Sequence, residues 1–568
     1  MRADTRGPAA SVYASLGERQ RGTLGRMRFI ILFALLAAPL AFARDVPVST
    51  VAQLQGAVAA AQPGDVILLA PGTYRLTGKL SCNANGTAGS PIVMRGSPPG
   101  SATIESDTVI AIGVDGAHWH FEDLVVRGVC AVDSDCEHAF QVTGGGTDVV
   151  LGRNQLVDFN AQLKVNATFL SDGGVRMPHR GRVEANEVFD TRARNTANPV
   201  TKLNIDTGDD WVVRDNFLHD FAKNGGNFVS YGSFMKSGGA RGLYERNLVL
   251  CRGGGQAMSD VRIGLSFGGG GTAPQFCFPA FSASVPCSVE HSDGVMRNNV
   301  IANCSDVGIY VNRGANSRLL FNTLVGTSGI DFRFDTTTGT AAGNLLTGSI
   351  RARDMGTFSS MDNVTGVSVG TFSSAYRAPL SGDLFVTGSV ASWVGMAATH
   401  ALVTDDFCQR ARGSGPFTVG ALEHSLGNCE TGKPPDGGVG GGGGGVGGGG
   451  GGTGGGGGGT GGGGGGTGGG ATGDGGAGGG GGAGGGGTGG GGGAGGGGTG
   501  GGGGSGGGGA SGGTGGGTGG ASDGGAPDGG TGGGGDAVTG GCGCAAVDAG
   551  WLTVLAIAFV VRRRRSPP

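Results

Sequence analysis

The sequence predicts an all-β chain, a right-handed parallel β-helix built from short strands, and three observations predict it. A phrase with Asn (Asp in the first copy) before an apolar pair recurs: Asp123-Leu124-Val125, Asn154-Gln155-Leu156-Val157, Asn186-Glu187-Val188-Phe189, Asn216-Phe217-Leu218, Asn247-Leu248-Val249, Asn299-Val300-Ile301, Asn322-Thr323-Leu324 and Asn344-Leu345-Leu346. From Asp123 the intervals are 31, 32, 30, 31, 52, 23 and 22 residues, the periods of one supersecondary unit stacked on itself. The phrases are too short and too rich in Val, Leu, Ile and Phe for helical repeats, and Gly and Asn punctuate them. The Asn ladder reads as structural: a side-chain amide can bond the backbone at a turn, and stacked copies can bond one another.

Composition divides the molecule. Of 568 residues 134 are Gly, most of them after Pro435, so the folded part precedes that point. Net charge is −3 and the sequence pI near 6.2, which gives no reason to expect a nucleic-acid partner. Phe (25) far outnumbers Trp (4) and Tyr (6), which suits a narrow β core better than a broad sugar-stacking platform.

At the N-terminus, residues 1–26 are polar and Arg-rich, and Met27 opens a better beginning. Arg28 is followed by the apolar run Phe29 to Ala43, too short to span a bilayer comfortably and ending in Ala41-Phe42-Ala43, so an exported protein cleaved after Ala43 is expected. Val51, Leu54, Val58 and Ala61 then fall at helical spacing behind the caps Ser49 and Thr50, predicting one helix over the open end of the first coil. Strands follow at Asp65–Ala70, Pro91–Gly96 and Ala102–Glu105. The run Pro63-Gly64-Asp65-Val66 to Pro71-Gly72-Thr73-Tyr74, then Gly86-Thr87-Ala88-Gly89-Ser90-Pro91-Ile92-Val93, resembles the N-terminal part of secreted right-handed parallel β-helix proteins, among them the chondroitinase-B and alginate-lyase-like polysaccharide lyases. That resemblance implies the fold and, more weakly, action on extracellular polysaccharide.

The 52-residue interval predicts a long loop carrying Gly268 to Gly271, Cys277 and Cys287, and loops on a rigid scaffold are where binding usually sits. Past Asn299 the coils tighten, and the segment from Asp405 to Glu423 is expected to close the solenoid. Nine Cys precede the Gly-rich part, and in an exported chain they suggest disulfides: Cys130–Cys136, Cys277–Cys287, Cys408–Cys429 and Cys251–Cys304, with Cys82 left over.

Lyases cleave uronate chains by β-elimination, which needs a cation to neutralise the carboxylate and a base to take the C5 proton. The candidate base is Lys236, in Ser233-Phe234-Met235-Lys236, where strand alternation turns Met235 inward and Lys236 outward. The segment resembles the chondroitinase-B-like lyases, which implies a Lys base on such a strand and an Arg nearby, here Arg262 or Arg241. Calcium-dependent members carry acidic ligands just before that Lys; Val229 and Tyr231 stand there instead, so Ca²⁺ stays an open cofactor whose usual acidic ligands beside Lys236 are absent. A second, weaker metal candidate is the carboxylate cluster Asp206, Asp209 and Asp210. Asp209, His219 and Arg333 complete the set of candidate substrate-binding residues.

From residue 431 to 541 the chain is nearly all Gly with scattered Thr, Ala, Ser and Asp, unable to bury a core; a flexible stalk is expected. Residues 542–568 hold Cys542 and Cys544, an apolar stretch from Trp551 to Val561 and four consecutive Arg. This end resembles the myxobacterial C-terminal sorting signal, which implies processing near the two Cys by sorting machinery, a membrane segment and display at the cell surface. The domains are thus 1–43, 44–430, 431–541 and 542–568. Two functions are expected of the β-helix: a protein acting on or binding extracellular polysaccharide, with lyase chemistry its sharpest form, or a non-catalytic adhesin or envelope protein.

Overall fold

The computed structural model describes residues 43–253, 260–269 and 287–431. Three parallel sheets run along it, of twelve strands (sheet A), ten (sheet B) and ten (sheet C). Each coil visits A, B and C in turn: Asp65–Leu69, Gly72–Leu76 and Leu80–Cys82 make the first circuit, and Ile92–Gly96, Ala102–Ser106 and Ile110–Val114 the second. The result is the expected parallel β-helix, whose crossovers favour the right hand. Sheet A spans roughly 50 Å at ~4.8 Å per strand. Helix α1, Val51–Ala59, is capped by Thr50, whose side chain accepts the Gln53 N–H at 3.2 Å, and it buries Leu54 and Val58 against the first coil.

The corner between sheets A and B is made by two residues. The first adopts a left-handed conformation (Arg153 φ 56°, Ala185 55°, Asp215 57°, Arg246 51°), a backbone L-residues enter at a cost of about 1–2 kcal/mol. The second is the buried Asn, and it stabilises the corner. Each Asn Nδ2 donates to the next Asn Oδ1, from Asn154 to Asn186 (3.0 Å), to Asn216 (3.0 Å), to Asn247 (3.0 Å) and to Asn299 (2.9 Å). The same oxygen accepts the preceding Asn backbone N–H, as Asn216 Oδ1 does from Asn186 at 2.9 Å. The ladder departs from the phrase in two places. Asp123 occupies the left-handed position (φ 57°), and Leu124 takes the first rung, its N–H donating to Asn154 Oδ1 at 3.1 Å. Asn363 adds a last rung, accepting from Asn344 at 2.8 Å.

The segment from Asp405 to Glu423 does not close the solenoid end. It belongs to the run after Asn363, including helix α2 (Val369–Ala375), that packs on the outer face of sheet B. The late coils of that sheet present Leu248, Leu250, Val300 and Val325 outward, and Phe372, Tyr376, Trp393 and Phe417 cover them. Arg246 pins this cover through Asp405 at 2.7 Å. The disulfides Cys130–Cys136, Cys251–Cys304 and Cys408–Cys429 form as expected, and Cys82 is a buried free thiol. Cys287 is disulfide-bonded, while Cys277 lies outside the described residues. So do most of the long loop, the export signal before Ala43, the Gly-rich stalk, and Cys542 and Cys544 with the apolar segment behind them.

Candidate functional site

Sheet C positions the candidate residues. Its core-facing row runs Val142, Val165, Ile205, Met235, Phe267, Val311, Phe332, all paired in register. Alternation therefore turns the next residue of every strand outward, in the order Asn83, Asp115, Thr143, Asn166, Asp206, Lys236, Gly268, Asn312, Arg333, Arg353. A second outward row, two residues earlier, runs Lys164, Asn204, Phe234, Ser266, Tyr310, Asp331, Arg351.

At the centre is a carboxylate between two ammonium groups. Lys164 Nζ lies 2.8 Å from Asp206 Oδ2, and Lys236 Nζ lies 3.9 Å from the same oxygen, so the two nitrogens are no more than about 7 Å apart. Ser237 Oγ hydrogen-bonds the other carboxylate oxygen. Burial would raise the Asp206 pKa, but the charges of Lys164 and Lys236 and the hydrogen bonds from Lys164 and Ser237 outweigh it and hold the carboxyl down at about 2. Lys236 points outward as expected, yet its side chain is only 5% exposed, not solvated. Its ammonium group sits 4.7 Å from the Phe234 ring centre, a cation–π contact, within an apolar patch separate from the main core that includes Tyr231, Ile263 and Tyr310. Three coils further, Arg333 bonds Asp354 and Tyr310 Oη (3.2 Å), and Arg351 and Arg353 converge on Asp331 at 2.7 and 2.8 Å.

The remaining candidates are dispersed. Arg262 is not beside Lys236: it pairs with Ser230, six residues or roughly 20 Å back along the strand, buried against Asp260 at 3.0 Å. Arg241 lies past the end of the strand on an exposed turn, held by Asp210 at 2.7 Å and Asp209 at 3.1 Å. Asp206, Asp209 and Asp210 therefore do not converge, because the first faces the two Lys and the others face Arg241. Among the described residues no three His, Cys, Asp or Glu are grouped to hold a metal, and these carboxylates do not fit a resident Ca²⁺. His219 is on sheet B, stacked between Phe189 and Phe217 at 4.6 and 4.2 Å. Burial disfavours its imidazolium, but hydrogen bonds to Asp220 (2.8 Å) and Glu187 (3.3 Å) prevail and raise its pKa.

Sheet C thus brings together Lys236, Asp206 and Arg333, and adds Lys164, Ser237 and Tyr310, which sequence reasoning missed. The available signal was the apolar–x–apolar triplet, Leu163-Lys164-Val165 against Leu203-Asn204-Ile205 and, two coils on, Leu265-Ser266-Phe267, which aligns these strands independently of the Asn phrase, although the strand between them has Ser233 at the first position. A polar cleft of about 530 Å³ opens at the N-terminal end of the same outward row, lined by Asn83, Asp115, Gly145, Arg176 and His179 among others. It lies away from Lys236, whose own stretch of the row is covered: Asp206, Lys236 and Asn312 are all buried.

No family model matches the chain, and no curated protein is similar to it. Among solved structures it is similar to the pectate lyase Pel9A, at 12% identity and a TM-score of 0.47 over 67% of this chain and 97% of that one. It is similar to an alginate lyase from Paenibacillus sp. str. FPU-7, at 17% identity and a TM-score of 0.32 over 57% and 96%. A rhamnogalacturonan lyase matches at 14% identity and a TM-score of 0.38 over 55% and 82%. Likenesses at such scores carry no functional inference, and the β-helix stands on the strand pairing itself.

Proposed function

We propose that the protein binds an extended uronate-containing polysaccharide along the outer face of sheet C and cleaves it by β-elimination. The observation that supports this most is the Lys164–Asp206–Lys236 group, continued by Asn312, Arg333 and Arg353 in a row that follows the solenoid axis. The ~4.8 Å coil spacing is comparable with the length of one pyranose unit, so successive sugars meet successive coils. Lys164 is placed to bind a uronate carboxylate and neutralise it in the transition state. Lys236, in its amine form, takes the C5 proton; the C5–H electrons form the C4=C5 bond, the C4–O bond breaks, and the leaving oxygen takes a proton from water. Asp206 holds the two Lys at a fixed separation. In this reading the chain is exported, and its C-terminal segment fixes it at the cell surface behind the Gly-rich stalk.

One observation favours a second reading, binding without turnover: Lys236 is covered, its Nζ 3.9 Å from the Asp206 carboxylate and 4.7 Å from the Phe234 ring centre, a placement that suits a fixed contact as well as a base. The test is to incubate the full chain with alginate, pectate, chondroitin and dermatan and follow ultraviolet absorbance of the unsaturated uronate product. Product on at least one is expected; polymer retention with none supports the binding reading.

A further inference from the structure

The outward row of sheet C changes character along its length. From Lys236 to Arg353 it carries the cations Lys236, Arg333 and Arg353, whereas its first positions, Asn83, Asp115 and Thr143, lie one residue past the paired Cys82, Val114 and Val142 and carry a single acidic group. That group is compensated within the cleft. Asp115 Oδ2 accepts from Arg176 at 3.0 Å, while Oδ1 accepts from the Gly145 N–H and the Thr143 hydroxyl, both at 2.9 Å. The cleft therefore offers fixed donors and acceptors but no net charge at its floor. His179 adds a donor: its Nδ1 accepts the Asp209 N–H at 3.0 Å, so the neutral ring carries its proton on Nε2.

The space is built into the backbone. A Cβ at Gly145 would stand 2.0 Å from the Asp115 carbonyl oxygen, and one at Gly144 would stand 2.6 Å from the Arg176 carbonyl oxygen, so close backbone packing keeps side chains out of this floor. The volume, about 530 Å³, is within the range that small ligands occupy.

We infer that this cleft is a binding subsite for an uncharged sugar ring, so that the polymer on sheet C is a heteropolysaccharide in which neutral units accompany the uronates. The inference rests on the function proposed above and adds the substrate class. Asp115 and Lys236 are four coils apart in one row, about 19 Å, so one bound chain reaches both. A ring with hydroxyls and no carboxylate can use the Asn83 amide, the Asp115–Arg176 pair and His179 Nε2–H together. A uronate would need a counter-cation there, and the Arg of the cleft, Arg176, is already paired with Asp115.

The test uses the full chain with methyl β-galactopyranoside, methyl N-acetyl-β-glucosaminide and galacturonic acid as probes, read by calorimetry and saturation-transfer NMR, with retention of polygalacturonate measured in parallel. At least one neutral glycoside binds, and Asn83→Trp, which fills the cleft, removes that binding with an unchanged melting temperature. The milder Asn83→Ala weakens it about tenfold, the equivalent of ~1.4 kcal/mol, and serves if the Trp variant fails to fold. Galacturonic acid binding as tightly as the neutral probes, or neutral binding indifferent to both variants, overturns the inference. If polygalacturonate is retained and no neutral glycoside binds, the cleft inference fails and the proposed function stands. Neutral binding without retention of any polyuronate does the opposite, keeping the cleft as a sugar subsite and removing the uronate polymer.

Discussion

Asp206 offers the sharpest test of how the sheet C face is held together. The carboxyl is pushed from its ordinary 3.8 down to about 2. At about 1.4 kcal/mol per pH unit, that depression corresponds to roughly 2–3 kcal/mol of stability. Because the folded pKa is the lower one, the contribution is complete above the ordinary value and drains away as pH falls toward 2. Asp206→Asn removes the charge while keeping the shape, leaving Lys164 and Lys236 no more than about 7 Å apart with no anion between them. For a folded part of roughly 390 residues the unfolding entropy is on the order of 0.8 kcal/mol per kelvin, so the variant should melt about 3 °C below the wild type at pH 7. At pH 2.5 the gap should shrink to about 1 °C, since the unfolded carboxyl is then protonated and the pH is close to the folded value of about 2, so most of the contribution has drained away. Differential scanning fluorimetry of the two proteins side by side across this range reads the effect. A gap that is the same at both pH values, or a variant no less stable at pH 7, refutes the placement of Asp206 as the counter-ion of the two Lys.

Other consequences are equally open to measurement. Asn216→Leu strands the two Asn186 donors that its Oδ1 accepts, and the Val183 carbonyl 2.8 Å from its Nδ2, costing on the order of 3–5 kcal/mol by thermal melting. Asn363→Leu, at the half-exposed end of the ladder, should cost clearly less, and equal losses would contradict a stacked ladder. Lys202 and Asp190, wholly buried and 2.5 Å apart, are each pushed by burial toward neutrality. Lys202→Met alone should cost about 3–5 kcal/mol and the double change Lys202→Met with Asp190→Leu much less, whereas additive losses would show that the two act independently. For His219 the folded pKa is raised, so its contribution is complete below the ordinary 6.5 and is lost as pH rises through the folded value. The stability advantage of wild type over His219→Gln should therefore decline from pH 6 to pH 9, and an advantage that rises instead would mean that burial outweighs the two carboxylates.

The fold was legible because its cause is local and repeated. The Asn that closes each two-residue corner marks the coil, and the hydrophobic pair behind it is the strand of sheet B. Asp123 misled because it precedes an apolar pair as each ladder Asn does, yet it occupies the left-handed position one residue earlier in the corner. The site was harder to read. Between the Asn corner and the sheet C strand, the coils carry insertions of unequal length, such as residues 190–199 and 220–228, so counting from Asn154 does not bring Lys164 opposite Asn204 and thus within reach of Asp206. Lys236 was found from alternation alone, which depends only on its own strand. Arg262 was misplaced because nearness along the chain says nothing about which strand position it meets in the next coil. The cover over sheet B was read as a terminal coil because its apolar residues, Phe407, Phe417 and Leu422, suit either packing.

Catalysis at Lys236 stands or falls on product formation and polymer binding measured in the same samples of wild type and Lys236→Ala, on the best substrate of the polysaccharide panel. Unsaturated ends are expected from the wild type and none from Lys236→Ala. Polymer retention by the variant should weaken no more than about tenfold, the loss of one ionic contact. No product from the wild type, or equal product from both, would contradict a catalytic Lys236.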